Sequence, residues 1–286
     1  MFKSLNNYLS LVKFSHTVFA LPFAMIGFFL AIHENPEALT LSLGIKVLLC
    51  MIFARSSAMA FNRWADREID AKNPRTIIRE IPAGIITANS ALWFTLINCG
   101  CFIATTWFIN PICFYLSFVA LLVMLGYSYA KRFTAFCHLI LGLGLSLAPI
   151  GAWLAVTGKF ALLPLLFSGA VLCWVSGFDI IYALQDEKFD KEHQLHSIPA
   201  YFGGKNALSI SRNLHIASSI FILAAGITGN FGWIYFAGWI FFTTLLIYQH
   251  RLVKPEDLSK VNLAFFTTNG IASIVFAVFT LSDLYF

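Results

Sequence analysis

The sequence predicts an all-α integral membrane protein of about nine spanning helices, and three observations predict it. Of its 286 residues 59% are hydrophobic and only 12% charged, with a mean hydropathy of +0.77, well outside the soluble range. Apolar runs of about 20 residues, each long enough to cross a hydrocarbon core, follow one another along the whole chain. Basic residues gather in alternate loops between those runs, as cytoplasmic loops do. The runs leave no room for a soluble domain, so residues 1–286 read as a single polytopic domain.

The first span, near 14–32, follows Lys3 and Lys13 as the apolar region of a signal peptide would. It is too long for one and lacks an A-x-A-like exit, so it reads as a retained helix. Pro22 is tolerated there because neighbouring helices re-satisfy freed backbone groups. The second span, near 42–62, carries Arg55 in the middle of its apolar run. A charge at that depth costs at least ~2.5 kcal/mol and marks either a function or a buried ion-pair partner. After it, Asn73-Pro74-Arg75-Thr76-Ile77-Ile78-Arg79-Glu80-Ile81-Pro82-Ala83-Gly84 is broken by prolines and reads as a loop. The third and fourth spans, near 88–108 and 111–130, are apolar and end in Tyr127-Ser128-Tyr129-Ala130-Lys131. The fifth, near 134–156, has Gly142, Gly144, Pro149 and Gly151, small residues that permit close helix packing. The sixth, near 161–182, runs into an acidic stretch over 179–190. The last three, near 207–229, 231–249 and 262–282, carry almost no intramembrane charge and read as wall.

With the N-terminus in the cytoplasm, the loops after the second, fourth, sixth and eighth spans share that side. They hold Arg63, Arg67, Lys72, Arg75 and Arg79; Lys131 and Arg132; Lys188, Lys191 and Lys205; and Arg251, Lys254 and Lys260. The opposite loops carry little beyond Lys159, with Glu34 and Glu37 acidic, so the positive-inside rule sets the orientation. The net charge of +5 follows from this bias. Nothing in it points to nucleic acid, and the partner the composition demands is the lipid bilayer. Six cysteines, mostly inside apolar runs and without C-x-x-C, read as small hydrophobes. His193 and His196 lie in a polar loop and read as solvated.

The stretch that carries chemistry is Asn62-Arg63-Trp64-Ala65-Asp66-Arg67-Glu68-Ile69-Asp70. Asn62, Asp66 and Asp70 are four residues apart and drift by only about 40° per step on a helix, so they share one face with Arg55. Stacked anionic oxygens repel one another unless a cation intervenes, and Mg²⁺, which takes oxygen ligands and keeps several waters, is the usual one. A second cluster, Asp179, Asp186 and Asp190, lies within about 40° of one helical line. Asp179 begins still within apolar sequence, which a solvated helix end does not explain. Arg75 and Arg79 can reach a phosphate from the loop beside the first cluster, ordinary positive-inside charge being the alternative for Arg75. Tyr129 reads as an interfacial anchor; Lys131, one turn from Tyr127, reads as a diphosphate contact, with an interfacial anchor as the alternative. Two acidic clusters on one membrane face, ringed by Arg and Lys and walled by Phe, Leu and Trp, suit a substrate with a diphosphate head and a long apolar tail. Metal ions neutralise the departing diphosphate, and the allylic cation left behind needs a partner where water is excluded.

In this light the motifs are recognisable: Asn62, Asp66 and Asp70 as N-x-x-x-D-x-x-x-D, Arg79 to Gly84 as R-x-x-P-A-G, Tyr127 and Lys131 as Y-x-x-x-K, and Asp186 and Asp190 as D-x-x-x-D. Together, over nearly the whole chain, they resemble the UbiA superfamily of intramembrane aromatic prenyltransferases. The wording Lys13-Phe14-Ser15-His16-Thr17, Ala58-Met59-Ala60-Phe61-Asn62-Arg63 and Asp179-Ile180-Ile181-Tyr182-Ala183-Leu184-Gln185-Asp186 looks most like its 4-hydroxybenzoate polyprenyltransferase branch, particularly members linked to menaquinone made by the futalosine route. The resemblance implies nine helices around a central cavity and Mg²⁺ bridging the diphosphate of a polyprenyl donor to Asp66, Asp70, Asp186 and Asp190. It places Arg79 and Lys131, with Arg75 and Tyr127, on the phosphates, and Arg55 near the carboxylate of an aromatic acid. Asn62 and Asp179 complete the catalytic set, Asn62 orienting a first-motif carboxylate or the acceptor. Glu80 stands where many members have proline, which is expected to loosen that loop.

The activity implied is transfer of a polyprenyl group to the ring of 4-hydroxybenzoate or a related aromatic acid in respiratory quinone biosynthesis, at the inner membrane with the site mouth cytoplasmic. No obligatory protein partner is implied. A naphthoate-type acceptor is the alternative within the family. Outside it, a CDP-alcohol phosphotransferase would share D-x-x-x-D and Ala54-Arg55, but its further aspartates and glycine are missing between Lys46 and Phe53. A secondary transporter would need polar groups near the midplane with access from both sides.

Overall fold

The computed structural model describes residues 2–13 and 19–286, which are helical almost throughout. Residues 14–18, where the first expected span begins and where most of the wording Lys13-Phe14-Ser15-His16-Thr17 falls, lie outside the described residues. Helices α1 (Phe2–Leu11), α2 (Leu21–Glu34), α3 (Leu41–Ala65) and the one-turn α4 (Arg67–Asp70) come first. Next are α5 (Ala88–Trp107), α6 (Pro111–Ala130), α7 (Cys137–Thr157) and α8 (Leu162–Ala183). Short helices α9 (Glu187–Glu192) and α10 (Ile198–Phe202) lead to α11 (Gly204–Thr228), α12 (Trp233–Leu252) and α13 (Asn269–Tyr285). No β-strand is found among the described residues.

A helix therefore lies over every expected span, and α1 is an additional one. Among the described residues, seven helical stretches are long and apolar enough to cross a membrane; α2 and α12 are not among them. The described part of α2 has 14 residues, about 21 Å at 1.5 Å per residue. The chain is a multi-pass, all-helical membrane protein, as a lipid environment that must leave no backbone group unpaired requires.

The chain divides into two compact units. The first comprises residues 1–17 and 40–129. Thr40 and Thr87 cap α3 and α5, each side chain accepting from the backbone N–H three residues on, Leu43 and Ser90, at 3.1 Å. Leu11 of α1 packs with Ala60, Ile86 and Ala91, and Tyr8 stacks on Phe94 with ring centroids 4.8 Å apart. Polar side chains inside the spans bond to their own helix: Thr95 Oγ1 donates to Ala91 O and Asn98 Nδ2 to Phe94 O.

The second unit comprises residues 18–39 and 130–286. Its centre is aromatic, with Phe23, Phe167, Trp174, Tyr235, Phe242 and Phe276 fully buried. A polar knot lies there: Asn269 Oδ1 accepts from Trp174 Nε1 at 2.8 Å and from Gln249 Nε2 at 2.6 Å, while its Nδ2 donates to Ala264 O and Phe265 O in the π-turn Leu263–Thr268, and Gln249 Oε1 is left buried with no hydrogen-bond partner among the described residues. Helices approach closely where a side chain is absent. A Cβ on Gly27 of α2 would lie 2.1 Å from Pro149 O of α7, and one on Gly142 of α7 would lie 2.2 Å from Ser176 Oγ of α8. All six cysteines are unbridged.

Candidate active site

The first motif is built by the end of α3 and the loop after α4. At Asp66 (φ −93°, ψ 5°) the backbone leaves the helical basin and α4 restarts one residue later. The helical hydrogen bonds run through this break, Asp66 N to Asn62 O at 2.9 Å and Asp70 N to Asp66 O at 2.7 Å, so the expected stripe is kept. Within it Asn62 Nδ2 donates to Asp66 Oδ2 at 3.0 Å. Asp70 is only 4% exposed, and Nη1 of Arg79 donates to both its oxygens, at 2.7 and 2.8 Å.

The loop that delivers Arg79 is a chain of turns, not a slack connection. Arg75 N donates to Asn73 Oδ1, Thr76 Oγ1 donates to Asp70 O, and Arg79 N donates to Thr76 O. Gly84 closes it at φ +71°, a left-handed position that glycine adopts without strain. Glu80 does not loosen this loop, contrary to the sequence expectation. It is buried, its carboxylate accepts a hydrogen bond from Ser10 Oγ of α1, and its carbonyl accepts from both Ile85 N and Ile86 N. A proline could supply no such side-chain tie. Arg75 and Tyr127 are half-buried in the same unit. Arg55 Nη2 donates to Lys13 O at 3.3 Å, while its Nε is buried with no hydrogen-bond partner among the described residues. Arg63, grouped by sequence with the loop cations, is 6% exposed and inside α3.

The second motif departs further from the sequence reading. Helix α8 stops at Ala183, a 3₁₀ turn covers Leu184–Asp186, and α9 follows. Because a 3₁₀ turn winds three residues per turn rather than 3.6, the line expected for Asp179, Asp186 and Asp190 is overwound at this turn. The outer two find separate partners. Asp179 Oδ2 lies 2.7 Å from Nδ1 of His138 at the start of α7. His138 Nε2 accepts from Ile198 N at 3.4 Å, which assigns the proton to Nδ1. Asp190 has no exposed surface: Oδ1 is ion-paired to Lys131 Nζ at 2.7 Å, and Oδ2 accepts from Ser197 Oγ at 2.8 Å. Lys131, just beyond α6, is held through its backbone too, its carbonyl accepting from His196 N at 2.7 Å. Asp186 is 8% exposed.

Sequence reasoning missed His138, Ser197 and Ser10. His138 had a signal, an ionisable side chain opening an apolar run; the two serines had none. Buried carboxylates are costly unless paired, and each motif meets that cost with a cation of its own unit. Among the described residues neither unit by itself gathers three His, Cys, Asp or Glu side chains that could hold a metal ion. The donors that Asn62, Asp66 and Asp186 offer are oxygens, the set a hard cation such as Mg²⁺ takes.

Among known proteins, a 4-hydroxybenzoate octaprenyltransferase of Nitrosospira multiformis is 29% identical over 261 residues, 90% of this chain and 88% of that one. The apo structure of a UbiA homolog from Aeropyrum pernix K1 superposes with a TM-score of 0.84 at 29% identity, covering 94% of this chain and 98% of that one. A UbiA homolog from Archaeoglobus fulgidus bound to GPP and Mg²⁺ has a TM-score of 0.72 at 22% identity over 98% of this chain and 100% of its own, a likeness of fold. The model of the UbiA prenyltransferase family matches residues 20–271, and the chain belongs to that family.

Proposed function

We propose that the protein transfers a polyprenyl group from a polyprenyl diphosphate to the ring of 4-hydroxybenzoate, or a closely related aromatic acid, in respiratory quinone biosynthesis. The observation that carries this reading is the pairing of each acidic motif with a cation: Asp70 with Arg79, and Asp190 with Lys131. A site that must hold metal ions and then a released anion needs both signs of charge side by side. The acceptor is taken from the Nitrosospira relative and from Arg55, whose buried Nε suits a carboxylate.

In this reading the two aspartate motifs hold Mg²⁺, which when bound neutralises charge on the departing diphosphate. Arg79 and Lys131, with Arg75 and Tyr127, bind phosphate oxygens; Arg55 holds the acceptor's carboxylate; and Asn62 orients Asp66. Asp179, fixed by His138, presents a carboxylate seven residues ahead of Asp186 on α8. The apolar walls exclude the water that would otherwise capture the allylic cation. The N-terminus and the mouth of the site face the cytoplasm at the inner membrane, as the basic loops require.

The test is product mass after incubating detergent-purified protein with Mg²⁺, a polyprenyl diphosphate and 4-hydroxybenzoate, with EDTA as control. A metal-dependent prenylated benzoate is expected. Product only with a bicyclic naphthoate would keep the reaction and move the acceptor; no product with either would sink the reading.

A further inference from the structure

Arg79 is delivered by a loop, and a loop presents a cation only as firmly as its own backbone is held. The backbone around Arg79 is shaped from within: Arg79 N donates to Thr76 O at 2.9 Å, Ala83 N donates to Arg79 O at 2.9 Å, and the carbonyl of Glu80 accepts from Ile85 N at 2.9 Å and from Ile86 N at 3.0 Å. Two neighbouring side chains then fasten the loop to helices. Arg79 binds Asp70 of α4, and Glu80 accepts from Ser10 Oγ in the last turn of α1. Apolar contact joins the same parts. Leu11 of α1 is fully buried with Ala60, Ile86 and Ala91, and Tyr8 of α1 and Ile81 of the loop pack against that cluster.

Two observations show that this junction is more than filling. Helix α1 has ten residues, too few to hold its shape alone in water, so its place is set by what it touches. Lys13 N donates to Ser10 O at 3.0 Å and closes its last turn, which fixes the backbone that presents Ser10 Oγ. Glu80 is 6% exposed, and its Oε2 is buried with no hydrogen-bond partner among the described residues. A carboxylate buried with one oxygen unsatisfied is costly, and an apolar side chain of similar size would remove that cost. Stability alone therefore does not account for a glutamate at this position.

Resting on the functional reading above, we propose that Ser10 and Glu80 are positioning residues for the prenyl donor. Helix α1 is a clasp that grips Glu80 and so holds the adjacent Arg79 where the diphosphate meets it. The gain is preorganisation: a loop ordered beforehand does not have to be ordered when the anion binds.

The test reads loop order and diphosphate affinity separately, on the full-length protein in detergent. Loop order is followed by hydrogen exchange of the Ile85 and Ile86 amides, and affinity by calorimetric titration of inorganic diphosphate with Mg²⁺. Ser10→Ala and Glu80→Ala should each speed exchange about tenfold. Each should also raise the diphosphate Kd about fivefold, while KM for the aromatic acid stays within about twofold. Glu80→Gln keeps an oxygen for Ser10 to donate to and should stay within about twofold of wild type in every readout. Ser10→Ala combined with Glu80→Ala should be no worse than Glu80→Ala alone, because the shared bond is lost only once. Ser10 is exposed, so its alanine variant keeps the test open should Glu80→Ala fail to fold. Unchanged exchange in Ser10→Ala would overturn the clasp, as would faster exchange with unchanged diphosphate affinity. Loss in Glu80→Gln equal to that in Glu80→Ala would overturn it too, since the charge and not the bond would then be in use. These responses in a protein that prenylates no aromatic acid would overturn the functional reading and leave the clasp in place.

Discussion

Arg55 illustrates what a single residue shows at this depth. Its Nη2 is satisfied by the carbonyl of Lys13, its Nε is buried without a partner among the described residues, and its charge lies inside a membrane span. An arginine kept at that cost is expected to have a ligand. If that ligand is the carboxylate of the acceptor, Arg55→Ala should raise KM for 4-hydroxybenzoate by tenfold or more, corresponding to the ~1.5–3 kcal/mol of a charged hydrogen bond, with KM for the prenyl diphosphate unchanged. Steady-state kinetics with each substrate varied in turn checks this, and an equal rise in both constants would remove Arg55 from the acceptor. Arg55, Arg79 and Lys131 were legible in the sequence because a charge in apolar surroundings, or at a fixed offset from an acidic repeat, stands out. Ser197 and Ser10 were not, because what makes them matter is a partner 7 and 70 residues away along the chain, and His138 stood out only as an ionisable group opening an apolar run, with nothing to point to Asp179 41 residues on.

The same division holds for the elements. Spans were legible because an apolar run of sufficient length has few alternatives in lipid. The breaks at Asp66 and over 184–186 were not, since both lie in sequence that a helix would accept and the turns are set by contacts the chain makes elsewhere. Packing is intermediate: the small residues of α7 suggested close approach, and the structure separates the ones that use it. A Cβ on Gly142 would meet Ser176 Oγ at 2.2 Å and the carbonyl of Leu172 at 2.5 Å, and that carbonyl cannot yield without moving α8. Gly151, on the same helix, would meet nothing within 4 Å. Gly142→Ala should therefore destabilise by about 1–3 kcal/mol. Gly151→Ala should be neutral or gain up to about 1 kcal/mol from reduced unfolded-state freedom. Thermal unfolding in detergent distinguishes the two, and equal shifts would show that α7 does not pack on α8 this way in solution.

For the molecule as a whole, the sequence makes a statement about sidedness that follows from charge. Among the described residues, seven helical stretches qualify as spans by length and composition, and α2 and α12 decide how the rest are threaded. Helix α12 is the sharper case, because Trp233–Leu252 has 20 residues but ends in Gln249-His250-Arg251, with His250 Nε2 3.0 Å from His215 Nδ1 of α11. If α12 crosses, Thr228 at the end of α11 and Glu256 after α12 lie on opposite sides, and the basic loop of Arg251, Lys254 and Lys260 falls in the cytoplasm as the positive-inside rule demands. If α12 lies along the surface instead, both positions share one side and that loop faces the wrong way. Both residues are exposed, so each can be replaced by cysteine in a background with the six native cysteines changed to alanine. A membrane-impermeant maleimide added to intact cells should label Thr228→Cys and spare Glu256→Cys until the cells are opened. Labelling of both from outside, or of neither, would mean that α12 does not span, and Glu256→Cys alone labelled from outside would invert the orientation; either result would require the motif loops to be reassigned to their side of the membrane.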